Sequence, residues 1–551
     1  MRQGGPLPED PASVESAPSE EETKPEAVVQ SDESREDKRK DRIFIILLLV
    51  IIAAYLGTFL TLTLLRYSNY RGSEFDTAIF NQVVWLLSRF KGAYSTIRGT
   101  NLFGDHFAPI LFLLTPLYWV RGNAPALLTV QTLALGAGAI PVYLIAKDKL
   151  VSRWLALGLA AAFLLYPATQ YMNLADFHPE SLGLVFLLFA FLAIERRKFI
   201  WFYVLCLLAA ICKEDMILAV LVLGILVYFL YDKRAGKIVS FGSLVYFLAA
   251  VLFLIPHFAP AGYQYSGRLR AFGPTTKQAV KNFFLHPGRT LNILATRQNL
   301  RYVFDLLMPV AFLSIFAPIF LLPALPAFFF NIISDFQPQH TIGTLNSPVQ
   351  YTAAIIPFVF IAAIFGLKRF KKWSEGGFRS RFVIGGVAVI VLVCALAGNF
   401  YFGPSPLAAG FQGSAYRSDK NIDAIRKGVD LIPADASVSA QTFLLAHLSS
   451  RQKIYQFPEP FRYLVDPKTY NELGRMLQTT ESDAVKVIFP NTYRMKDSGK
   501  SIAPDYVALD TGSAYTITKD MYDRLIVSLQ TEGGYKRIYD NDGVIILKRQ
   551  K

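Results

Sequence analysis

Apolar residues in this chain form long runs that are separated by short polar segments. Most of these runs approach or exceed the roughly 20 residues that an α-helix needs to cross the hydrocarbon core of a bilayer. We therefore predict a polytopic α-helical membrane domain over residues 43–402 with about eleven transmembrane helices. The predicted spans lie near 43–65, 124–146, 153–170, 180–195, 199–213, 216–231, 238–256, 302–321, 323–334, 350–367 and 382–402.

The pattern changes on both sides of this region. Residues 1–42 are rich in Glu, Ser and Pro and nearly free of aromatic side chains, which predicts a disordered tail. Residues 403–551 alternate short apolar strands with amphipathic helices, which predicts a C-terminal α/β domain. Its predicted strands are Ser437–Ala440, Lys453–Phe457, Val485–Phe489 and Tyr506–Asp510, its predicted helices are Ser418–Leu431 and Lys519–Leu529, and a hairpin is predicted to turn at Asp540–Gly543.

Basic residues indicate the orientation in the membrane. Lys and Arg cluster before the first predicted span and after the second, fourth, sixth and tenth. If spans simply alternate, all these clusters fall on one side, which the positive-inside rule makes cytoplasmic. We therefore expect a multi-pass plasma-membrane protein with a cytoplasmic N-terminus. The first outer loop, 66–123, would contain amphipathic and interfacial helices, and the C-terminal domain would be extracytoplasmic.

Composition supports this class and narrows the partners. The chain is 53% hydrophobic and has a mean hydropathy of +0.34, which is too apolar for an ordinary soluble enzyme. Its formal net charge is +14. In a membrane protein such a balance more often reflects cytoplasmic anchoring than nucleic-acid binding, so we expect membrane lipid and no nucleic acid as partner. The three cysteines lie in apolar segments and indicate neither disulfides nor a thiolate metal site.

Two acidic motifs in the first outer loop are candidates for chemistry. Glu74 and Asp76 lie where an amphipathic helix begins, so they suit either the positive end of the helix dipole or a general base that deprotonates an acceptor hydroxyl. Gly104 permits a sharp turn before Asp105 and His106. Asp105 can cap the next helix, or this acid–imidazole pair can bind a divalent cation or orient a phosphate.

Further ionisable residues fall in other outer segments. His178 and Glu180 lie in the sequence DFHPE, where the proline and the glutamate also suit a helix start. Lys213, Glu214 and Asp215 stand between two apolar runs with scarcely any loop. Some of these three charges must therefore lie near the hydrocarbon, where an unpaired charge is costly. His340 lies in a polar loop that could close a cavity. Walker, GxSxG and HExxH motifs are absent from the sequence, which argues against nucleotide, serine or zinc hydrolysis.

Five segments carry a family resemblance: FDTAIFNQVVW, NLFGDHFAPILFLLTPLY, DFHPES, CKEDM and PQHTIGTLNSPVQYTAAIIPF. Over roughly residues 55–460, the chain resembles a family of predicted polytopic membrane proteins of unknown function that is similar to the GT-C glycosyltransferases. The resemblance implies inverting transfer of a sugar from a polyprenyl-phosphate-linked donor to an extracytoplasmic glycan, lipid or protein acceptor of the cell envelope. By position, Asp76 matches the catalytic aspartate, and Asp105 is a second candidate.

The remaining charged residues would then bind substrate. We assign Lys213, helped by His178 or an outer-loop arginine, to the phosphate leaving group. Glu180, Glu214 and Asp105 would hold sugar hydroxyls or position those cations. No cofactor is expected with certainty, although a divalent cation stays an option. The complete set predicted to bind substrate is Glu74, His106, His178, Glu180, Lys213, Glu214, Asp215 and His340.

Two other functions fit the same sequence. A transporter or flippase for a lipid-linked or polar solute would use Lys213–Asp215 as a coupling cluster, although no clear internal repeat is visible. A non-catalytic receptor or assembly factor would use the outer α/β domain. An enzyme should gather Asp76, Asp105, His178 and Lys213 around one pocket, whereas a transporter should show a path toward the inner face.

Overall fold

A computed structural model describes residues 26–72, 74–259, 272–273, 276–333, 349–374, 380–418, 421–461, 489, 491–492, 494, 501–512 and 519–550. His340 and most of the predicted strand Val485–Phe489 lie outside these residues. The chain forms two compact units, Met1–Leu47 and Leu48–Lys551, and the site described below belongs to the second.

Helices dominate the chain as far as residue 402. A helix, α1, spans Glu26–Ser68, and the first outer loop follows it with short elements. These are α2 (Phe75–Leu87), β1 (Tyr94–Ser95), β2 (Thr100–Asn101), α3 (Leu102–Asp105), α4 (Leu111–Leu114) and α5 (Leu117–Arg121). The next helices are α6 (Ala124–Ala137), α7 (Ala139–Leu150), α8 (Arg153–Leu164), α9 (Pro167–Leu174), α10 (Glu180–Glu195), α11 (Phe199–Ala210), α12 (Glu214–Leu230), α13 (Lys233–Ala249) and α14 (Ile255–Phe258). The last of this region are α15 (Thr276–Leu285), α16 (Pro287–Leu294), α17 (Arg297–Leu307), α18 (Leu325–Ile333), α19 (Ile356–Ser374) and α20 (Ser380–Phe402).

Some of these helices are long enough to span a bilayer. Among the described residues, four pass by length and composition: Glu36–Ser68, Ala124–Leu150, Lys233–Phe258 and Val349–Lys372. A fifth results if α8 and α9, which meet at a bend of 42°, form one span. The fold is therefore that of a helical membrane protein with a sheet near its C-terminus.

Two regions differ from their predicted form. The predicted span 302–321 is not one helix, because α17 ends at Leu307 and the backbone then turns left-handed at Ala311 and Phe312 (φ 54° and 56°) before a series of 3₁₀ turns. Prolines in this stretch prevent a continuous helical hydrogen-bond ladder. The predicted disordered tail is helical from Glu26 onward, since residues 26–42 contain no proline and carry pairs such as Glu36–Lys40, 2.7 Å apart.

The C-terminal region contains a five-stranded mixed sheet. Its elements are α21 (Ile422–Asp430), β3 (Val438–Ala440), α22 (Leu445–Leu448), β4 (Ile454–Gln456), β5 (Tyr506–Asp510), α23 (Lys519–Thr531), β6 (Tyr535–Asn541) and β7 (Val544–Arg549). The strand order is β4-β3-β5-β7-β6, with β3 parallel to both its neighbours and β7 antiparallel to both of its own. Asp542 and Gly543 have positive φ between β6 and β7, which confirms the predicted hairpin turn.

The edge strand β4 is covered by the first outer loop. The Thr96 hydroxyl donates to the carbonyl of Ile454 (2.5 Å) and accepts from its N–H (2.9 Å). Gln82 in α2 donates to the carbonyl of Gln452 (3.2 Å), and Asn81 donates to the Ser449 hydroxyl (2.6 Å). An uncovered edge exposes unpaired backbone groups. These contacts satisfy part of that edge and tie α2 to the sheet.

Gly104 lets a helix end approach the outer loop closely. A Cβ at this position would lie 2.6 Å from the carbonyl carbon of Phe258 and 2.7 Å from the nitrogen of Ala259, both main-chain atoms. The Phe103 and Phe258 rings also meet, with centroids 5.7 Å apart. The residues just after Gly104, which carry candidate chemistry, are therefore packed against the end of α14.

Gly104→Ala should lower stability, because the added methyl group would force two main-chain segments apart, at a cost of about 1–3 kcal/mol. Gly158→Ala in α8 is the matched control, since its Cβ meets nothing within 4 Å and alanine favours helix by up to about 1 kcal/mol. Thermal unfolding of the solubilised protein measures both. Equal melting temperatures for the two variants would contradict the close approach.

Candidate active site

The N-terminus of α2 is held by a carboxylate from a distant segment. The first turn of a helix has free N–H groups, and Glu74, which precedes α2, caps none of them with its side chain. Instead, Asp176 accepts hydrogen bonds from the Asp76 N–H (3.1 Å) and the Thr77 hydroxyl (3.2 Å). The Thr77 oxygen in turn accepts from the Phe177 N–H (2.9 Å). The segment after α9 is thus fixed against the start of α2.

This arrangement brings Asp76 against His178. Nε2 of His178 lies 3.1 Å from Oδ2 of Asp76, and Nδ1 lies 2.8 Å from the carbonyl oxygen of Asp176. The imidazole is nearly buried, with 8% of its side chain exposed, whereas Asp76 keeps 41%. Asp76 is therefore the accessible member of the pair.

The electrostatics favour an ion pair between these two residues. Burial raises the pKa of Asp76, but the hydrogen bond and the charge of His178 outweigh it, so the pKa lies below its ordinary value. Burial lowers the pKa of His178, but the hydrogen bond and the charge of Asp76 raise it by more than burial lowers it, so the net shift is upward. Burial and the neighbouring charge of Asp76 raise the pKa of Asp176 to about 6.

Asp105 forms a buried ion pair with Arg98. Nε of Arg98 lies 2.8 Å from one carboxylate oxygen and its terminal nitrogen 3.3 Å from the other, which is the bidentate geometry of a strong pair. The β1–β2 hairpin carries Arg98, and Asn101 caps α3 by accepting from the Phe103 N–H (3.0 Å). Asp105 is only 2% exposed. The predicted second catalytic acid is thus placed to hold a guanidinium.

Lys213 and Glu180 form a second buried pair. The lysine precedes α12, the glutamate begins α10, and the ammonium hydrogen-bonds Oε1 of Glu180. Lys213 also lies over the Tyr351 ring, 4.9 Å from its centroid. Both side chains are more than nine-tenths buried. The Lys213 charge, which the sequence placed near hydrocarbon, is therefore compensated by pairing, as burial requires.

Glu214 and His106 stand beside this pair. Glu214 accepts from the Phe107 N–H (3.1 Å), and its other oxygen lies 3.6 Å from Nδ1 of His106. Glu214 therefore contacts both His106 and the main chain of the turn that follows α3.

One pocket collects these pairs, and its cavity volume is about 80 Å³. Six residues with predicted roles line it, namely Asp76, Asp105, His106, His178, Glu180 and Lys213. Arg98, Gln350 and Tyr351 line it too, and the sequence reasoning missed them along with Asp176. Arg98 shares the first outer loop with Asp76 and Asp105, and that was the available signal.

Other predicted site residues lie elsewhere. Glu74 is buried away from the pocket lining, and its carboxylate lies 3.7 Å from Nε2 of His447 in the C-terminal region. Burial and the charge of Asp176 raise the pKa of Glu74 well above its ordinary value. Glu214 and Asp215 adjoin the lining without forming part of it. Among the described residues, no three His, Cys, Asp or Glu side chains are grouped to hold a metal ion.

Comparisons with known proteins give a family and several solved structures. The family model "Predicted membrane protein (DUF2079)" matches residues 66–546. No curated protein sequence matches the chain.

The solved structures that resemble the chain are remote in sequence. ArnT from Cupriavidus metallidurans bound to undecaprenyl phosphate is 11% identical, with 92% of this chain and 97% of that chain covered and a TM-score of 0.45. Its apo state is also 11% identical, with 93% of this chain and 98% of that chain covered and a TM-score of 0.48. A third structure is the oligosaccharyltransferase AglB from Archaeoglobus fulgidus in complex with an inhibitory peptide and a dolichol-phosphate. It is 12% identical, with 84% of this chain and 69% of that chain covered and a TM-score of 0.40. All three TM-scores are below 0.5.

Asp105→Asn should destabilise the protein by about 3–5 kcal/mol, because it removes the charge partner of a mostly buried guanidinium. The matched control is Asp148→Asn, which breaks the half-exposed Asp148–Arg196 pair (3.1 Å) and should cost less than about 1 kcal/mol. Chemical unfolding in micelles compares the two. A loss as small for Asp105→Asn as for Asp148→Asn would show that the pair with Arg98 carries little stability.

Proposed function

The chain belongs to the DUF2079 family of predicted membrane proteins, and from its pocket we propose that it is a GT-C-type glycosyltransferase. It would move a sugar from a polyprenyl-phosphate-linked donor to an extracytoplasmic acceptor with inversion. The observation that carries this proposal is the single pocket lined by an accessible carboxylate, Asp76, and two paired cations, Arg98 and Lys213.

This combination suits displacement at a sugar carbon. Asp76 accepts the proton of the acceptor hydroxyl as the acceptor oxygen bonds to the anomeric carbon. The bond from that carbon to the phosphate oxygen breaks on the opposite face, and the phosphate leaves with the electron pair. Arg98 and Lys213 stabilise the negative charge that develops on the phosphate. Their carboxylate partners, Asp105 and Glu180, hold the two cations in position.

The location of the pocket also suits a lipid-linked donor. Its lining comes from the first outer loop, from the starts of α10 and α12, and from Gln350 and Tyr351. If the spans alternate as the basic clusters predict, with a cytoplasmic N-terminus, these segments all lie on the outer side. A donor could then keep its polyprenyl tail in the bilayer while its phosphate reaches the pocket. Residues 403–551 would form the extracytoplasmic domain and contribute to acceptor recognition.

The observed contacts of Lys213 and Glu214 argue against a transporter in which Lys213–Asp215 form a coupling cluster. A coupling cluster needs charges that exchange partners with the transported solute. Lys213 is instead bound to Glu180, and Glu214 accepts from the main chain of Phe107.

Asp76→Asn should abolish sugar transfer while folding and membrane insertion persist, because the amide cannot accept the acceptor proton. We expect a loss of about 10²–10⁴-fold, the usual contribution of a general base. The measurement follows polyprenyl-linked sugars and envelope glycans by mass spectrometry in a deletion strain complemented with each variant. Asp148→Asn should complement fully. Full complementation by Asp76→Asn would remove this residue from the base role.

Lys213→Met should impair use of the donor, because the pocket loses a cation for the phosphate. Since this change strands the buried charge of Glu180, the double variant Lys213→Met/Glu180→Gln separates folding from function. We expect the double variant to recover most of the lost thermal stability, while kcat/KM for the donor stays at least about tenfold below wild type. Wild-type turnover by the double variant would reduce the pair to a structural role.

A further inference from the structure

The imidazole of His178 is nearly buried beside Asp76, and its hydrogen bonds indicate a role that the proposed reaction leaves unassigned. We propose that His178 is a positioning residue that keeps Asp76 a carboxylate directed into the pocket, and that Asp176 fixes both residues. This inference rests on the proposed function, because it assigns His178 a task in the same transfer instead of the predicted contact with substrate.

The hydrogen bonds of His178 determine where its protons lie. The carbonyl oxygen of Asp176 can only accept, so Nδ1, 2.8 Å away, must carry a proton. A neutral ring would then have a bare Nε2, and this nitrogen would face Oδ2 of Asp76, 3.1 Å away, with no hydrogen between two acceptors. A proton therefore lies between Asp76 and His178. The pair shares that proton, and it is an ion pair whenever the proton is on Nε2.

The ring has little freedom to leave this position. The main-chain N–H of His178 donates to the side-chain oxygen of Gln131 (2.9 Å), and the imidazole ring contacts Phe80 edge-on, with centroids 6.1 Å apart. Asp176 contributes twice, because its carbonyl holds Nδ1 while its carboxylate holds the N–H of Asp76. Base and imidazole are thus aligned by one short segment.

Exposure separates the roles of the two partners. Both residues line the pocket, but Asp76 keeps 41% of its side chain accessible, whereas His178 keeps 8%. An acceptor hydroxyl therefore reaches the carboxylate first. When the proton of that hydroxyl arrives on Asp76, the imidazolium behind it repels the proton, which then leaves to water. His178 thereby restores the carboxylate after each transfer.

Other ionisable residues also act on Asp76 and His178. His106 and Arg98 also act on Asp76 and lower its pKa, while burial and the negative charge of Asp76 raise the pKa of Asp176. His178 also senses Glu180 on α10 and Asp176. Burial opposes ionisation of Asp76. When the imidazolium is removed, less remains to counter the effect of burial on Asp76, and the pKa of Asp76 rises.

The first test is the pH profile of transfer by His178→Gln. Glutamine can donate an N–H to Asp76 but carries no charge, so the acid limb of kcat should move to higher pH by about one unit or more. Above that limb, transfer should return to within about tenfold of wild type, whereas His178→Ala should be lower at every pH. Replacement of the exposed His286 by glutamine is the control and should shift nothing. An acid limb unchanged in His178→Gln would overturn the proposal.

A second test does not need the reaction, and it separates the two proposals. The chain has six histidines, so NMR of ¹³C-histidine-labelled protein in micelles can follow each ring, and the signal missing in His178→Gln identifies His178. Its titration midpoint should lie above the ordinary value of about 6.5 and should fall by about one unit or more in Asp76→Asn. A midpoint at or below the ordinary value in the wild type would overturn the role of His178. Absence of any transfer by a protein with the raised midpoint would instead overturn the proposed function.

Discussion

A charge buried at a membrane surface is tolerated only when an opposite charge or a set of hydrogen bonds compensates it, and this constraint organises the pocket. The desolvation of each ion costs several kcal/mol, which only close pairing can offset. Arg98 pairs with Asp105, Lys213 with Glu180, and His178 with Asp76. The pocket therefore holds three pairs of oppositely ionisable groups in fixed contact.

The fold brings these pairs together through helix ends rather than through helix faces. Asp76 is in the first turn of α2, Glu180 begins α10, and Lys213 precedes α12. Helix N-termini have free N–H groups and a positive partial charge, so carboxylates are stabilised there. The contact of Asp176 with the start of α2 uses the same property across 100 residues of sequence. A second contact, between Thr96 and β4, ties this loop to the C-terminal sheet.

Local patterns were enough to predict much of the fold. The amphipathic run after Glu74 predicted a helix that the structure has at Phe75–Leu87, and the strand predicted at Tyr506–Asp510 is β5 with the same bounds. Periodicity and turn residues act within a few positions, so such elements are visible in sequence. The stretch 302–321 shows the limit, because hydropathy alone does not distinguish an α-helix from proline-interrupted 3₁₀ turns.

Pairing between distant side chains is harder to predict. The sequence marked Asp105 as chemically interesting, but beyond the shared outer loop it did not connect Asp105 with Arg98, because that partnership depends on the β1–β2 hairpin. Glu74 and Asp76 lie only two positions apart in the sequence, yet Glu74 faces His447 and Asp76 faces the pocket.

The most direct measurement is a cryo-EM map of the protein in nanodiscs that contain undecaprenyl phosphate. The account predicts phosphate density in the pocket within contact distance of Arg98 and Lys213, with the Asp76 carboxylate facing the space beside it. Phosphate density at another place on the protein, with this pocket closed to lipid, would contradict the account.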